Sequence, residues 1–152
     1  MLYRLDRKLC YFESDISATV VYALTSPPFD RVTICNAGHP APLIARRGQP
    51  FAEDANVSAG LLLGVEPELE RHSETVTLPP GAAIAFYTDG LVERRQGLDK
   101  QTDPDVERLD VVRRAFMATD NAETACSRII AAGLGDDSVE DDVALVVVRR
   151  PG

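Results

Sequence analysis

In the first half of the chain, apolar residues come in short runs separated by turn residues. "SATVVYAL", residues 17–24, is rich in β-branched side chains and is closed by Ser26-Pro27-Pro28, which predicts a strand followed by a turn. "RVTICNA", residues 31–37, makes a second strand, and the short link from Pro27 to Asp30 predicts a hairpin. "AGHPAPLIARRGQP" sets glycines and prolines around one apolar core, "PLIA", and predicts a tight turn and a brief third strand. Phe51 to Pro67 is irregular, with "SAGLLLGVEP" read as an apolar loop over the sheet. "HSETVTL" alternates, with Val76 and Leu78 on one face and Thr75 and Thr77 on the other, as a half-buried strand does. Pro79-Pro80-Gly81 then turns the chain into "AAIAFYT".

Elsewhere the period is helical. "LYRLDRKLC" places Leu2, Leu5 and Leu9 at helical spacing and reads as the end of an amphipathic helix. Beyond Gly90, "LVERRQ" begins a short helix or turn, and Pro104 is a helix start. Val106, Leu109, Val112 and Phe116 then share one face. In "NAETACSRIIAAGL", Asn121 is a candidate N-cap and Gly133 a candidate stop. The acidic loop "GDDSVEDD" leads into "VALVVV", an apolar strand closed by Arg149 and Arg150. Strands interleaved with late helices predict an α+β fold, a layered sandwich of β-sheets flanked by helices. A length of 152 residues fits one domain or a large piece of one.

Two of the most apolar strands meet acidic residues at opposite chain ends. "AIAFYT" exits into Asp89, whereas "VALVVV" is entered from Asp141 and Asp142. If the two are antiparallel neighbours, about 4.8 Å apart, that exit and that entrance share one edge and the carboxylates converge. Converging carboxylates repel, and need protons, basic side chains or a cation. Oxygen-only ligands point to Mg2+ or Mn2+ rather than zinc. Gly90 would let the backbone turn sharply just after the ligand. The plainer alternative is that Asp89 caps the following turn and "DDSVEDD" is a solvated loop.

Other candidates are weaker. His39 lies in "NAGHP", an evident turn in which Asn36, Gly38 and His39 read as structural, and His72 starts a strand. Arg46, Arg47, Arg94 and Arg95 could meet a phosphate but read as solvated pairs. Cys10, Cys35 and Cys126 fit neither a disulfide framework nor a zinc site. A net charge of -8 argues against nucleic acid, and no run reaches the roughly 20 apolar residues of a membrane span, so a cytoplasmic location is expected.

"ATVVYAL", "VTICNAGHPAPLIA", "LLLGV", "VTLPPGAAIAFYTDGLVE" and "DDVALVVVRR", in this order, resemble the bacterial SpoIIE/RsbU-type serine/threonine phosphatases of the PPM (2C-like) superfamily. The resemblance implies two antiparallel sheets flanked by helices, with a Mn2+ or Mg2+ pair at one edge. It implies hydrolysis of protein phosphoserine or phosphothreonine by in-line attack of activated water, without a phosphoenzyme. Asp89 matches one family metal ligand and Asp141 another, with Asp142 the alternative; Asp89 and Asp141 are thus the expected catalytic carboxylates, and no substrate-binding residue is assigned. The usual substrate is a phosphorylated anti-anti-sigma factor in stress and sigma-factor regulation. The family's upstream "GD-F/Y-x-D" and "D-x-x-G-H-G" segments have no match here. Residues 1–152 are therefore expected to form a single partial domain, weak or inactive alone and prone to self-association through open sheet edges. The alternative is a non-catalytic regulatory or binding module that keeps the fold.

Overall fold

The expected hairpin forms in the computed structural model, which describes residues 1–13, 15–93, 104–118, 121–135 and 141–152. In chain order the elements are α1 (Leu2–Phe12), β1 (Val20–Thr25), β2 (Arg31–Ala37), β3 (Leu43–Ala45), β4 (Glu53–Asp54), β5 (Glu74–Thr77), β6 (Ala83–Tyr87), α2 (Pro104–Ala115), α3 (Ala122–Leu134) and β7 (Leu145–Arg149), with a 3-10 turn at Asp89–Leu91. The fold is α+β, with two antiparallel sheets. Among the described residues no helix is long and apolar enough to cross a membrane. The chain divides into two compact units.

The first unit comprises Met1–Ala41 and Asn56–Leu78. Its sheet runs β1-β2-β5, with Thr25 opposite Val32 across the hairpin and Val32 opposite Val76. On α1 the expected Leu2-Leu5-Leu9 stripe is corrected. Leu2 is buried and Leu9 half-buried, but Leu5 is exposed and Asp6 takes the inward position with 0% exposure. A buried carboxylate is tolerated only when paired. Asp6 Oδ2 meets Arg71 Nη2 at 2.5 Å, and Oδ1 accepts the Gly64 N–H at 2.7 Å. Arg71 donates further to the carbonyls of Leu61 and Leu62. One ion pair thus ties α1 to the irregular segment before β5, which otherwise joins the unit's strands through single bridges, Ala18 to Leu63 and Ala37 to Gly60.

The second unit comprises Pro42–Ala55 and Pro79–Gly152. Its sheet runs β4-β3-β6-β7, every pair antiparallel. The two-residue β4 lies within the stretch read as irregular. Leu43, Ala45, Ala83, Ala85 and Tyr87 pack with Val112, Phe116, Ala125 and Ile129, so α2 and α3 cover one face of this sheet. Val106, placed on that face by spacing alone, is exposed one turn too early. Asn121 caps α3 as expected, its Oδ1 accepting the Thr124 N–H at 2.8 Å. Gly133, however, does not end the helix, which runs to Leu134 and closes at Gly135 with φ 56°. Gly133 is instead a point of close packing: a Cβ there would sit 2.6 Å from Leu91 Cδ1. The acidic stretch between Asp136 and Glu140, and the polar stretch 94–103, lie outside the described residues.

Removing one partner of a buried pair strands the other charge, and costs about 3–5 kcal/mol. Arg71→Met is expected to lower unfolding stability by that order in urea titration, and the double change Asp6→Leu with Arg71→Met to recover most of it. A double variant no more stable than Arg71→Met would show that the segment does not hang on this pair.

Candidate active site

The site is built from the ends of β6 and β7. Their ladder pairs Ala83 with Arg149 through to Tyr87 with Leu145, so the exit of β6 and the entrance of β7 lie at the same end of the sheet. Asp89 follows two residues after that last pair, and Asp141 precedes it by four. Thr88 bridges the remaining gap through its amide and its hydroxyl. Thr88 N donates to Ala144 O at 3.0 Å, the Thr88 hydroxyl donates to Asp142 O at 3.0 Å, and it accepts the Ala144 N–H at 2.8 Å. The structure therefore brings Asp89, Gly90, Asp141 and Asp142 to one rim.

Gly90 acts here through its missing side chain. It is not among the glycines with positive φ, and the turn is an ordinary 3-10 turn in which Leu91 N donates to Thr88 O and Val92 N to Asp89 O. A Cβ on Gly90 would lie 2.7 Å from Asp142 O and 3.1 Å from Asp141 O, which the carbonyls could not accommodate in place. Sequence reading expected a backbone-angle role; the requirement is close approach of two chain segments.

Each aspartate is half engaged. Asp89 Oδ1 accepts the Gly90 N–H at 2.9 Å and Asp141 Oδ1 accepts the Asp142 N–H at 2.8 Å. Asp89 does not cap the turn: the N-cap position is Thr88, without a side-chain cap bond, and the Asp89 carboxylate bonds only the next amide. The second oxygen of each has no hydrogen-bond partner among the described residues. Glu93, which sequence reading passed over although it closes the "TDGLVE" stretch, belongs to the same acidic neighbourhood. Partial desolvation, then the charges of Asp89, Asp105 and Asp141, raise its carboxyl above the usual range.

These donors suit a hard divalent cation in kind, since all are carboxylate oxygens. In number they fall short of a closed site: among the described residues no group of three His, Cys, Asp or Glu could hold an ion. The rim fits as an open share of such a site.

Among the other candidates, Asn36 and His39 lie in a hydrogen-bonded turn. Asn36 clamps the backbone of His39 from both sides, Nδ2 donating to His39 O at 2.9 Å and Oδ1 accepting His39 N–H at 2.8 Å, while His39 Nδ1 meets the Thr19 hydroxyl at 3.1 Å. Arg46 pairs with Glu53 at 2.9 Å; Arg94 and Arg95 lie outside the described residues. Cys10, Cys35 and Cys126 are free thiols.

The sequence model of the family Stage II sporulation protein E (SpoIIE) matches residues 1–151. The chain belongs to the SpoIIE family. Solved structures agree on its fold, that of the PPM phosphatases. The RsbU and RsbW domains of a Mycobacterium tuberculosis protein superpose with a TM-score of 0.76 at 26% identity, over 99% of this chain and 41% of that one. The Bacillus subtilis SpoIIE phosphatase domain presoaked with manganese gives 0.62 at 14% identity, over 88% of this chain and 57% of that one. RsbX in complex with magnesium gives 0.59 at 15% identity, over 95% and 62%. This SpoIIE-family chain therefore spans less than two thirds of the length of each. No curated protein sequence matches it significantly.

Two outcomes are expected. Gly90→Ala forces the Asp141–Asp142 carbonyls away and lowers stability by about 1–3 kcal/mol in chemical denaturation. Burial pushes the Tyr87 phenol up to about 12, the Asp54 carboxylate adding to the rise and the Arg113 guanidinium opposing it. A phenol raised in the fold contributes stability that is fully present below its ordinary pKa of 10.0 and is lost as pH climbs towards 12. Absorbance at about 295 nm, the usual phenolate band, should show one tyrosine ionising last, with the urea midpoint falling over that window and Tyr87→Phe abolishing the late step.

Proposed function

We propose that this chain is the part of a protein serine/threonine phosphatase domain that contributes Asp89 and Asp141 to a Mn2+ or Mg2+ pair, with Asp142 as the alternative to Asp141. The observation that carries this reading is the antiparallel β6–β7 ladder, which sets the exit at Asp89 and the entrance at Asp141 on one rim. Membership of the SpoIIE family supports the choice of phosphoserine or phosphothreonine as the bond hydrolysed.

When bound, a divalent pair polarises the phosphoryl group and lowers the pKa of water at the reaction centre. This chain's residues hold and orient. The Gly90 amide bonds one oxygen of Asp89 and the Asp142 amide one oxygen of Asp141, which leaves the other oxygen of each for a cation. Thr88 and Gly90 keep the two segments in register. Glu93 adds negative charge that a cation would offset. Among the described residues no group of three His, Cys, Asp or Glu could hold an ion, and slow hydrolysis by this chain alone is the expected outcome.

The substrate we assign is a phosphorylated regulatory protein of the anti-anti-sigma type. Likeness to a protein that carries RsbU and RsbW domains in one chain supports a role in such regulation. A second reading, a binding module that keeps the fold without catalysis, is favoured by the short donor count on the rim among the described residues.

Manganese titration of the purified chain tests the ligand assignment. Asp89→Asn and Asp141→Asn are each expected to weaken Mn2+ binding by about tenfold or more, one charge-assisted ligand apiece. Equal affinity in all three proteins would remove both residues from the role. Manganese-dependent release of phosphate from a phosphoserine peptide, reduced in Asp89→Asn, distinguishes the phosphatase from the binding module, which releases none.

A further inference from the structure

We infer that Thr88 is a positioning residue of the carboxylate rim: its hydroxyl sets the Asp141–Asp142 segment against Asp89. The inference rests on the reading of Asp89 and Asp141 as metal ligands and adds to it the group that ties their two segments together.

The regular ladder between β6 and β7 stops at the Tyr87–Leu145 pair, short of every rim carboxylate. Beyond it two chain segments leave the sheet, one into the 3-10 turn at Asp89 and one from Asp141. Strand ends released from a ladder splay, because nothing fixes their separation. Thr88 prevents this with three hydrogen bonds. Its N–H reaches Ala144 O at 3.0 Å, which prolongs the ladder by one rung. Its hydroxyl then accepts the Ala144 N–H at 2.8 Å and donates to Asp142 O at 3.0 Å. A hydroxyl is one of the few side-chain groups able to accept and donate at a single atom. Both sides of Val143 are thereby pinned, and the segment can lie close only because Gly90 offers no Cβ to the carbonyls of Asp141 and Asp142.

Serine keeps both capacities of the hydroxyl; valine keeps the shape of threonine and has neither. Amide hydrogen exchange and Mn2+ titration of wild type, Thr88→Val and Thr88→Ser, at a temperature where all three are folded, test the assignment. Expected in Thr88→Val are faster exchange at Ala144 and weaker Mn2+ binding, each by about five- to tenfold, the size of one or two hydrogen bonds. Thr88→Ser should stay within about twofold of wild type in both. Exchange at Ala144, whose N–H the Thr88 hydroxyl accepts, unchanged in Thr88→Val overturns the inference whatever the metal does. So does exchange or Mn2+ binding that serine fails to restore. If wild type and Asp89→Asn bind Mn2+ equally, the ligand reading fails, and the exchange of the metal-free chain still decides whether Thr88 holds the segment.

Discussion

The antiparallel register of β6 against β7 is the constraint from which the rim follows. Had those strands run parallel, Asp89 and Asp141 would stand at opposite ends of the sheet, and no side-chain adjustment could join them. Apolar composition alone does not select this arrangement. What selects it is the chain's route: β6 leaves through α2 and α3, and β7 returns along β6 with both helices covering the Ala83, Ala85 and Tyr87 face. The helices that bury the core thus also determine which end of β7 carries its acidic approach.

A different device organises the other unit. Between Asn56 and Ser73 there is too little regular structure to hold the backbone by ladders, and a charge does it instead. Asp6 reaches from α1 to an amide and to Arg71, and Arg71 reaches on to two carbonyls. An ion pair of this kind confers geometric definition more than net stability, because desolvation offsets much of its attraction. It suits a loop whose path has to be specified residue by residue.

Local signals in the sequence were dependable where one physical rule acts alone. The hairpin at Pro27 to Asp30, the alternation around Val76, the cap at Asn121 and the strand ending at Asp89 follow from β-branching, period and turn chemistry, and all are present. Misreadings arise where a partner distant in sequence overrides the local pattern. Leu5 yields its inward place to Asp6 because Arg71 waits 65 positions away. Gly133 resembles a stop signal, but the neighbour that demands a glycine is Leu91. Gly90 suggested a sharp turn, and the demand again comes from across the sheet. Asp89, Asp141 and Asp142 could be singled out by position at strand ends, whereas Thr88 and Glu93 could not, since their importance lies in which backbone and which charges they face.

The contact between Gly133 and Leu91 carries a mechanical corollary. Leu91 closes the same short turn that begins at Asp89, and it lies so near the axis of α3 that a single added methyl would collide with it. The last turn of α3 is therefore packed directly against the short turn that begins at Asp89. A larger residue at position 133 would press on Leu91 and, through it, on the turn that carries Asp89.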